Sequence, residues 1–266
     1  MDRNDLGYAP PTTVALQEAF ASFAQRRISW EVDPEQVTLI PDVVVGVIEL
    51  CQALMAPGDT VALATPAYPP FFSLLAAAGL RIRELATNER GDFEFEDLER
   101  ALRAGVRALI IVNPHNPSGR VIPGEKLARI AELCAEREAW VLADEIHASL
   151  VLPGAAHTPR LEVAEAAREF GIILTSASNA FNLAGLKAAQ LVTASPRARD
   201  AVAALPPLAG ASGLLGVIAA EAAFAEGDTW LDAVLDQLAA NRKRLTARLA
   251  AELPEIRLVP PEGTYL

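Results

Sequence analysis

Seven short apolar runs, most of them separated by stretches of helical periodicity, fill the first two hundred residues and leave few architectures open to the chain. The runs cover 37–40, 60–64, 81–85, 108–112, 140–143, 172–175 and 190–193. Helical spacing covers 13–27, 43–55, 70–78, 96–103, 126–138 and 161–168. Runs such as Ala108-Leu-Ile-Ile-Val112 are apolar at every position rather than at every second one, so both of their faces are buried. Strands of that kind alternating with helices predict an α/β fold: three layers, α/β/α, around a mixed, mostly parallel sheet. A hydrophobic content of 52% over 266 residues suffices for one large core and part of another.

After residue 193 the texture changes. Helical patterns at 196–204, 212–225 and 228–252 lead to a strand-like run at 256–259. We expect residues 1–228 to form the large domain, and 229–266 a long linking helix and the start of an incomplete second domain. Residues 201–220 carry no charge, but Pro206, Pro207, Gly210, Gly213 and Gly216 interrupt them, so a loop and a buried helix are expected rather than a membrane span. A net charge of -11, from 23 Lys and Arg against 34 Asp and Glu, argues against a nucleic-acid partner. Cys51 and Cys134 lie in apolar, helix-like stretches and read as reduced core thiols. With no apolar leader behind Met1, a cytoplasmic location is expected.

Gly-x-Gly-x-x-Gly, Walker and Gly-x-Ser-x-Gly motifs are absent, and His115, His147 and His157 have no metal-ligand spacing, so no metal site is expected. Three polar clusters each follow a predicted strand: Asn113-Pro-His-Asn-Pro-Ser-Gly119, Asp144-Glu-Ile-His147 and Ser176-Ala-Ser-Asn-Ala-Phe-Asn182. In an open parallel sheet such ends share one edge, where ligands bind.

With Thr65-Pro-Ala-Tyr-Pro-Pro-Phe-Phe72, Pro153-Gly, His157-Thr-Pro159 and Phe181-Asn-Leu-Ala-Gly-Leu-Lys187, and in this order, these clusters resemble the fold-type I pyridoxal phosphate enzymes of the class I/II aminotransferase superfamily, in particular the cystathionine β-lyase-like carbon–sulfur lyases. The resemblance implies pyridoxal 5'-phosphate as cofactor and a homodimer. It implies roles for single residues too. Asp144 would pair with the pyridine nitrogen, where a buried negative charge keeps the ring protonated and a better electron sink. Asn116 would donate to the ring's phenolic oxygen and Tyr68 would stack on the ring face. Ser176, Lys187 and the Val43 and Val44 amides at a helix start would contact the phosphate, with Tyr8 reaching it from the partner subunit. His147 would orient Asp144 or simply be a satisfied core histidine. Asp42 stands where relatives often have glycine, and a carboxylate beside a phosphate is unfavourable unless it points away.

The main departure from the pattern is Asn179, in the place of the family's lysine. Catalysis needs an amine there, to bond the cofactor aldehyde and to move the substrate's Cα proton. The only lysines are Lys126, Lys187 and Lys243. The expected activity is therefore a carbon–sulfur β-lyase acting on L-cystathionine or related S-substituted cysteines, giving thiol, pyruvate and ammonia, and impaired in this chain. An amino-acid aminotransferase and a non-catalytic cofactor-binding or dimerisation domain are the alternatives. The chain also starts and stops inside the family pattern, so no arginine for the substrate α-carboxylate can be named.

Overall fold

The computed structural model describes residues 7–10, 13–88 and 91–266. Strands β1 (Val37–Ile40), β2 (Thr60–Thr65), β3 (Arg81–Ala86), β4 (Val106–Val112), β5 (Trp140–Asp144), β6 (Gly171–Thr175) and β7 (Ala189–Val192) form one sheet in the order β1-β7-β6-β5-β4-β2-β3. β7 pairs antiparallel with both neighbours, and the other pairings are parallel. All seven expected strands are present, each within two residues of the sequence reading.

The helices are α1 (Val14–Ile28), α2 (Val43–Leu54), α3 (Pro70–Ala77), α4 (Phe95–Arg103), α5 (Gly124–Ala135), α6 (Glu165–Glu169), α7 (Pro196–Ala203), α8 (Leu214–Glu226) and α9 (Asp228–Glu252). Strand alternation sorts them into layers. Odd-numbered residues of β4 to β6, such as Leu109, Val141 and Ile173, face α1, α4, α5 and α8. Their even-numbered neighbours Ile110, Leu142 and Ile172 face α2, α3 and α7. On the first side Phe23, Phe181 and Phe224 meet at ring-centroid distances of 5.0–6.4 Å, locking α1 and α8 to the loop after β6. Cys51 and Cys134 are free and buried within α2 and α5, and burial pushes both thiols up to about 12, which leaves them unreactive.

Two expectations are corrected. The helix read at 161–168 is a 3-10 turn, Arg160–Glu162, followed by the short α6. The Arg160 amide donates to Glu145, and its buried guanidinium reaches the Ala167 carbonyl, so this segment serves side chains instead of a helical ladder. The run at 256–259 forms no strand. Ile256 and Val259 are exposed, and among the described residues the chain beyond them makes one isolated bridge, Gly263 to Val151. The uncharged stretch 201–220 divides between α7, a 3-10 turn at Pro207–Gly210 and α8. Among the described residues no helix is long and apolar enough to cross a membrane.

Gly171 opens β6 where a Cβ would lie 2.1 Å from the Ala167 carbonyl oxygen, backbone that cannot yield cheaply. Gly171→Ala is expected to cost about 1–3 kcal/mol, a fall in Tm of roughly 3–8 °C. Gly185→Ala, where nothing lies within 4 Å, should leave Tm nearly unchanged. Differential scanning fluorimetry on the two variants checks the contrast.

Candidate active site

The expected clusters converge on one edge because β1, β2, β4, β5 and β6 all end there, and antiparallel β7 starts there. β5 delivers Asp144 as its last residue, in register between Val112 and Leu174. β4 delivers Asn113, β6 delivers Ser176, and the turn before β7 delivers Lys187.

Asp144 is buried, and its carboxylate accepts one described hydrogen bond, 3.1 Å from the Ile146 amide. Burial pushes it up to about 7; the amide opposes the shift, and the charges of Asp42 and Glu145 add to it. No cation among the described residues pairs with it. His147, three residues on, is buried with Nδ1 unpartnered, and burial holds its ring down to about 4, so it is neutral at ordinary pH. Its ring stands edge-on to Tyr265 at 6.4 Å.

Behind Asp144 runs a buried network that sequence reading did not assign. Asn113 Oδ1 accepts from the Ile122 amide at 2.8 Å, which turns its Nδ2 toward His157 Nδ1 at 3.4 Å. His157 Nδ1 is thereby the acceptor, so Nε2 carries the hydrogen and donates to Glu145 Oε2 at 2.9 Å. Glu145 Oε1 accepts from the Arg160 amide, also at 2.9 Å. The signal was present in Asp144-Glu145 and in His157-Thr-Pro159, but the pairing of residues twelve apart belongs to the fold. This network and the backbone bond from Asn113 N–H to the Asp144 carbonyl, 2.9 Å, hold the strand end rigid.

Of the groups expected to contact the phosphate, Ser176, Lys187 and the Val44 amide are engaged within the protein. Ser176 Oγ donates to the Ala188 carbonyl at 2.7 Å and accepts from the Ser178 amide at 3.0 Å. Asp42 caps α2: its Oδ1 accepts from the Val44 amide at 2.9 Å, and its Oδ2 takes Lys187 Nζ at 2.8 Å. Val44's N–H is therefore not free, whereas Val43's has no described acceptor. Tyr68 and Asn116 lie on the loops after β2 and β4, partly exposed, and their side chains make no hydrogen bond among the described residues. Asn179 takes a 3.4 Å hydrogen bond from Ser178 Oγ on its side chain and another of 3.4 Å from the Tyr265 hydroxyl on its carbonyl. The lysines are elsewhere: Lys126 pairs with Asp92, Lys187 with Asp42, and Lys243 is exposed on α9. Tyr8 is fully exposed.

The family model for aminotransferase class I and II matches residues 1–266. The chain belongs to that family. It is 34% identical over its whole length to the cystathionine β-lyase PatB of Bacillus subtilis and to a cystathionine β-lyase of Corynebacterium glutamicum, of which it covers 70% and 71%. The crystal structure of the PLP-bound C–S lyase of Staphylococcus hominis superposes with a TM-score of 0.91 at 28% identity, over 99% of this chain and 68% of that one. The fold is thus that of pyridoxal 5'-phosphate-dependent class I and II family members, as the strand-end motifs led us to expect. The ring end of the site fits such a cofactor: a buried carboxylate without a cation beside a neutral histidine is matched by a cationic ring nitrogen. Of the donors expected at the phosphate, the Val44 amide and Lys187 are already engaged by Asp42, and the Val43 amide has no described acceptor.

Burial raises Asp144 above the usual carboxylate range, so the folded protein favours its protonated form. That contribution to stability is full below about pH 4 and is lost as pH rises through about 7. In cofactor-free protein, Asp144→Asn should therefore gain stability relative to the parent between about pH 5 and pH 7.5, by a few degrees in Tm. Thermal melts across that range check the sign.

Proposed function

We propose that this chain is the cofactor-binding part of a pyridoxal 5'-phosphate carbon–sulfur β-lyase for L-cystathionine or a related S-substituted cysteine, that it binds the cofactor without a covalent link, and that its own turnover is poor. The observation that carries the cofactor reading is Asp144, a buried carboxylate without a cation at the strand ends. The relatives named cystathionine β-lyase support the substrate class.

Pyridoxal 5'-phosphate supplies an electron sink that lets an amino-acid substrate shed its Cα proton and then its thiol. Asp144 would hold the proton of the ring nitrogen, and His147, neutral and buried beside it, would keep water from that carboxylate. Asn116, whose side chain makes no described hydrogen bond, and Tyr68, whose ring stands edge-on to Phe71 at 6.0 Å, would steady the ring's oxygen and face. Ser176, Lys187 and the Val43 amide would take the phosphate. Asn179 supports the impairment: a carboxamide offers no amine to an aldehyde and holds no exchangeable proton at a pKa useful for moving one from Cα. Assembly as a homodimer completes the reading. It is supported by the fully exposed Tyr8 and by Leu208, Leu215 and Ile218, exposed apolar residues in and beside α8. The free buried thiols suit the cytoplasm.

Incubation with pyridoxal 5'-phosphate, borohydride reduction and intact mass spectrometry should show no added mass on this chain, and one cofactor-sized addition at residue 179 in Asn179→Lys. The same variant should raise thiol release from L-cystathionine at least about a hundredfold. A reducible adduct on Lys187 in the parent chain overturns the impairment. A keto acid formed without thiol replaces the lyase by an aminotransferase, and absence of both products in Asn179→Lys favours the non-catalytic domain. Sedimentation velocity should show a dimer that Ile218→Glu weakens.

A further inference from the structure

The phosphate end of the site contains its own anion. Asp42 is the residue that ends the turn from β1 into α2, and its carboxylate is divided between two groups that would otherwise face an incoming phosphate. One oxygen accepts from the Val44 amide in the first turn of α2, and the other is 2.8 Å from Lys187 Nζ. Helix N-terminal amides and an ammonium group are what a phosphate needs. The Val44 amide and the ammonium are both taken by a side chain tethered beside them, in a pair that stands partly in solvent.

The contact is built from both sides. Lys187 holds a left-handed backbone, φ 57° and ψ 69°, which is uncommon for a residue with a side chain. Its carbonyl accepts from the Gly213 amide at 2.9 Å, and the preceding Leu186 carbonyl packs where a Cβ on Gly213 or Gly216 would come within 2.6 or 2.3 Å. The glycines at the start of α8 thus let the turn seat closely and point Lys187 back across β7 to the start of α2. On the other side the Asp42 carbonyl accepts from the Gly46 amide at 2.9 Å and its carboxylate from the Val44 amide, also at 2.9 Å, so the residue is seated on α2 by backbone and side chain together. Asp42, just past the end of β1, and Lys187, just before β7, stand at the same sheet edge as the end of β5.

We propose that Asp42 is a resident competitor for the cofactor phosphate: the phosphate gains Lys187 and the Val44 amide only by displacing the Asp42 carboxylate, and this sets a low affinity for phosphorylated ligands. The proposal rests on the pyridoxal 5'-phosphate reading of the site. Three consequences of charge follow. The ammonium of Lys187 is neutralised before the ligand arrives. A dianion entering beside Asp42 meets like charge at short range. The penalty applies to the phosphate alone, because a ligand with a neutral hydroxymethyl group in its place has no quarrel with the carboxylate.

Asp42→Asn is the discriminating change, since asparagine caps a helix as well as aspartate while removing the charge. Dissociation constants for pyridoxal 5'-phosphate and for pyridoxal are measured by equilibrium dialysis on the full chain, its Asp42→Asn variant and the double variant Asp42→Asn with Lys187→Gln. Asp42→Asn is expected to bind pyridoxal 5'-phosphate at least about tenfold more tightly, to change pyridoxal by less than about threefold, and to lose most of its gain in the double variant. Unchanged or weaker pyridoxal 5'-phosphate binding in Asp42→Asn, with pyridoxal still bound, overturns the competitor and leaves the cofactor site standing. Equal gains for both ligands also overturn it, because the effect then acts at the ring and not at the phosphate. Failure of every form to bind either ligand overturns the cofactor reading itself.

Discussion

A carboxylate kept in a dry setting without a cation is expensive, and the architecture around Asp144 is arranged to bear that cost. The residue is the last of β5, flanked in register by β4 and β6, so neither backbone movement nor rotation toward water can relieve it. Its one described donor is an amide two residues on, and two other carboxylates act on it through space. Only a rigid sheet edge can keep such a group in place. That rigidity comes from the apolar strands below it and from the Glu145, His157 and Asn113 network behind it.

Most of this fold was legible in the sequence because its strands are apolar at consecutive positions, a pattern that a fully buried parallel sheet produces and an amphipathic helix does not. Ala108-Leu-Ile-Ile-Val112 is the plainest example, since its odd and even residues enter different cores. The misreadings occurred where side chains, not backbone periodicity, decide the conformation. At 161–168 the helical spacing is real, but Glu145 recruits the Arg160 amide and the buried guanidinium takes the Ala167 carbonyl, so the chain breaks into a 3-10 turn and a short helix. At 256–259 the composition suits a strand, yet a strand also needs a neighbour with free hydrogen-bonding groups, and that is a property of the whole sheet.

The site was legible to a similar degree. Polar residues immediately after apolar runs marked the edge where Asp144, Asn113 and Ser176 stand, because the end of a parallel strand is fixed by its sequence position. Partnerships across the edge were not legible. That Asn113 reaches His157, or that Lys187 reaches Asp42, depends on loops whose course follows from close packing, such as the turn before β7 against the glycines of α8.

The two ends of the site are in opposite electrostatic states. At the ring end a carboxyl group is buried without a cation, which pushes it up to about 7, and a cationic ring nitrogen would favour its charged form. At the phosphate end the cation and the helix amide are already matched by Asp42, and a further anion would disturb them. A ligand carrying both charges therefore gains at one end and loses at the other, and its affinity depends on the difference between the two. Asp42 also adds to the upward shift of Asp144, but behind burial and the Ile146 amide in size, so its charge is felt chiefly at the phosphate end. Displacement of Asp42 by an incoming phosphate replaces that charge with another of the same sign nearby, so the ring end gains little from the exchange. The low affinity that follows belongs to the chain's own charge arrangement, and it acts separately from the missing amine at residue 179.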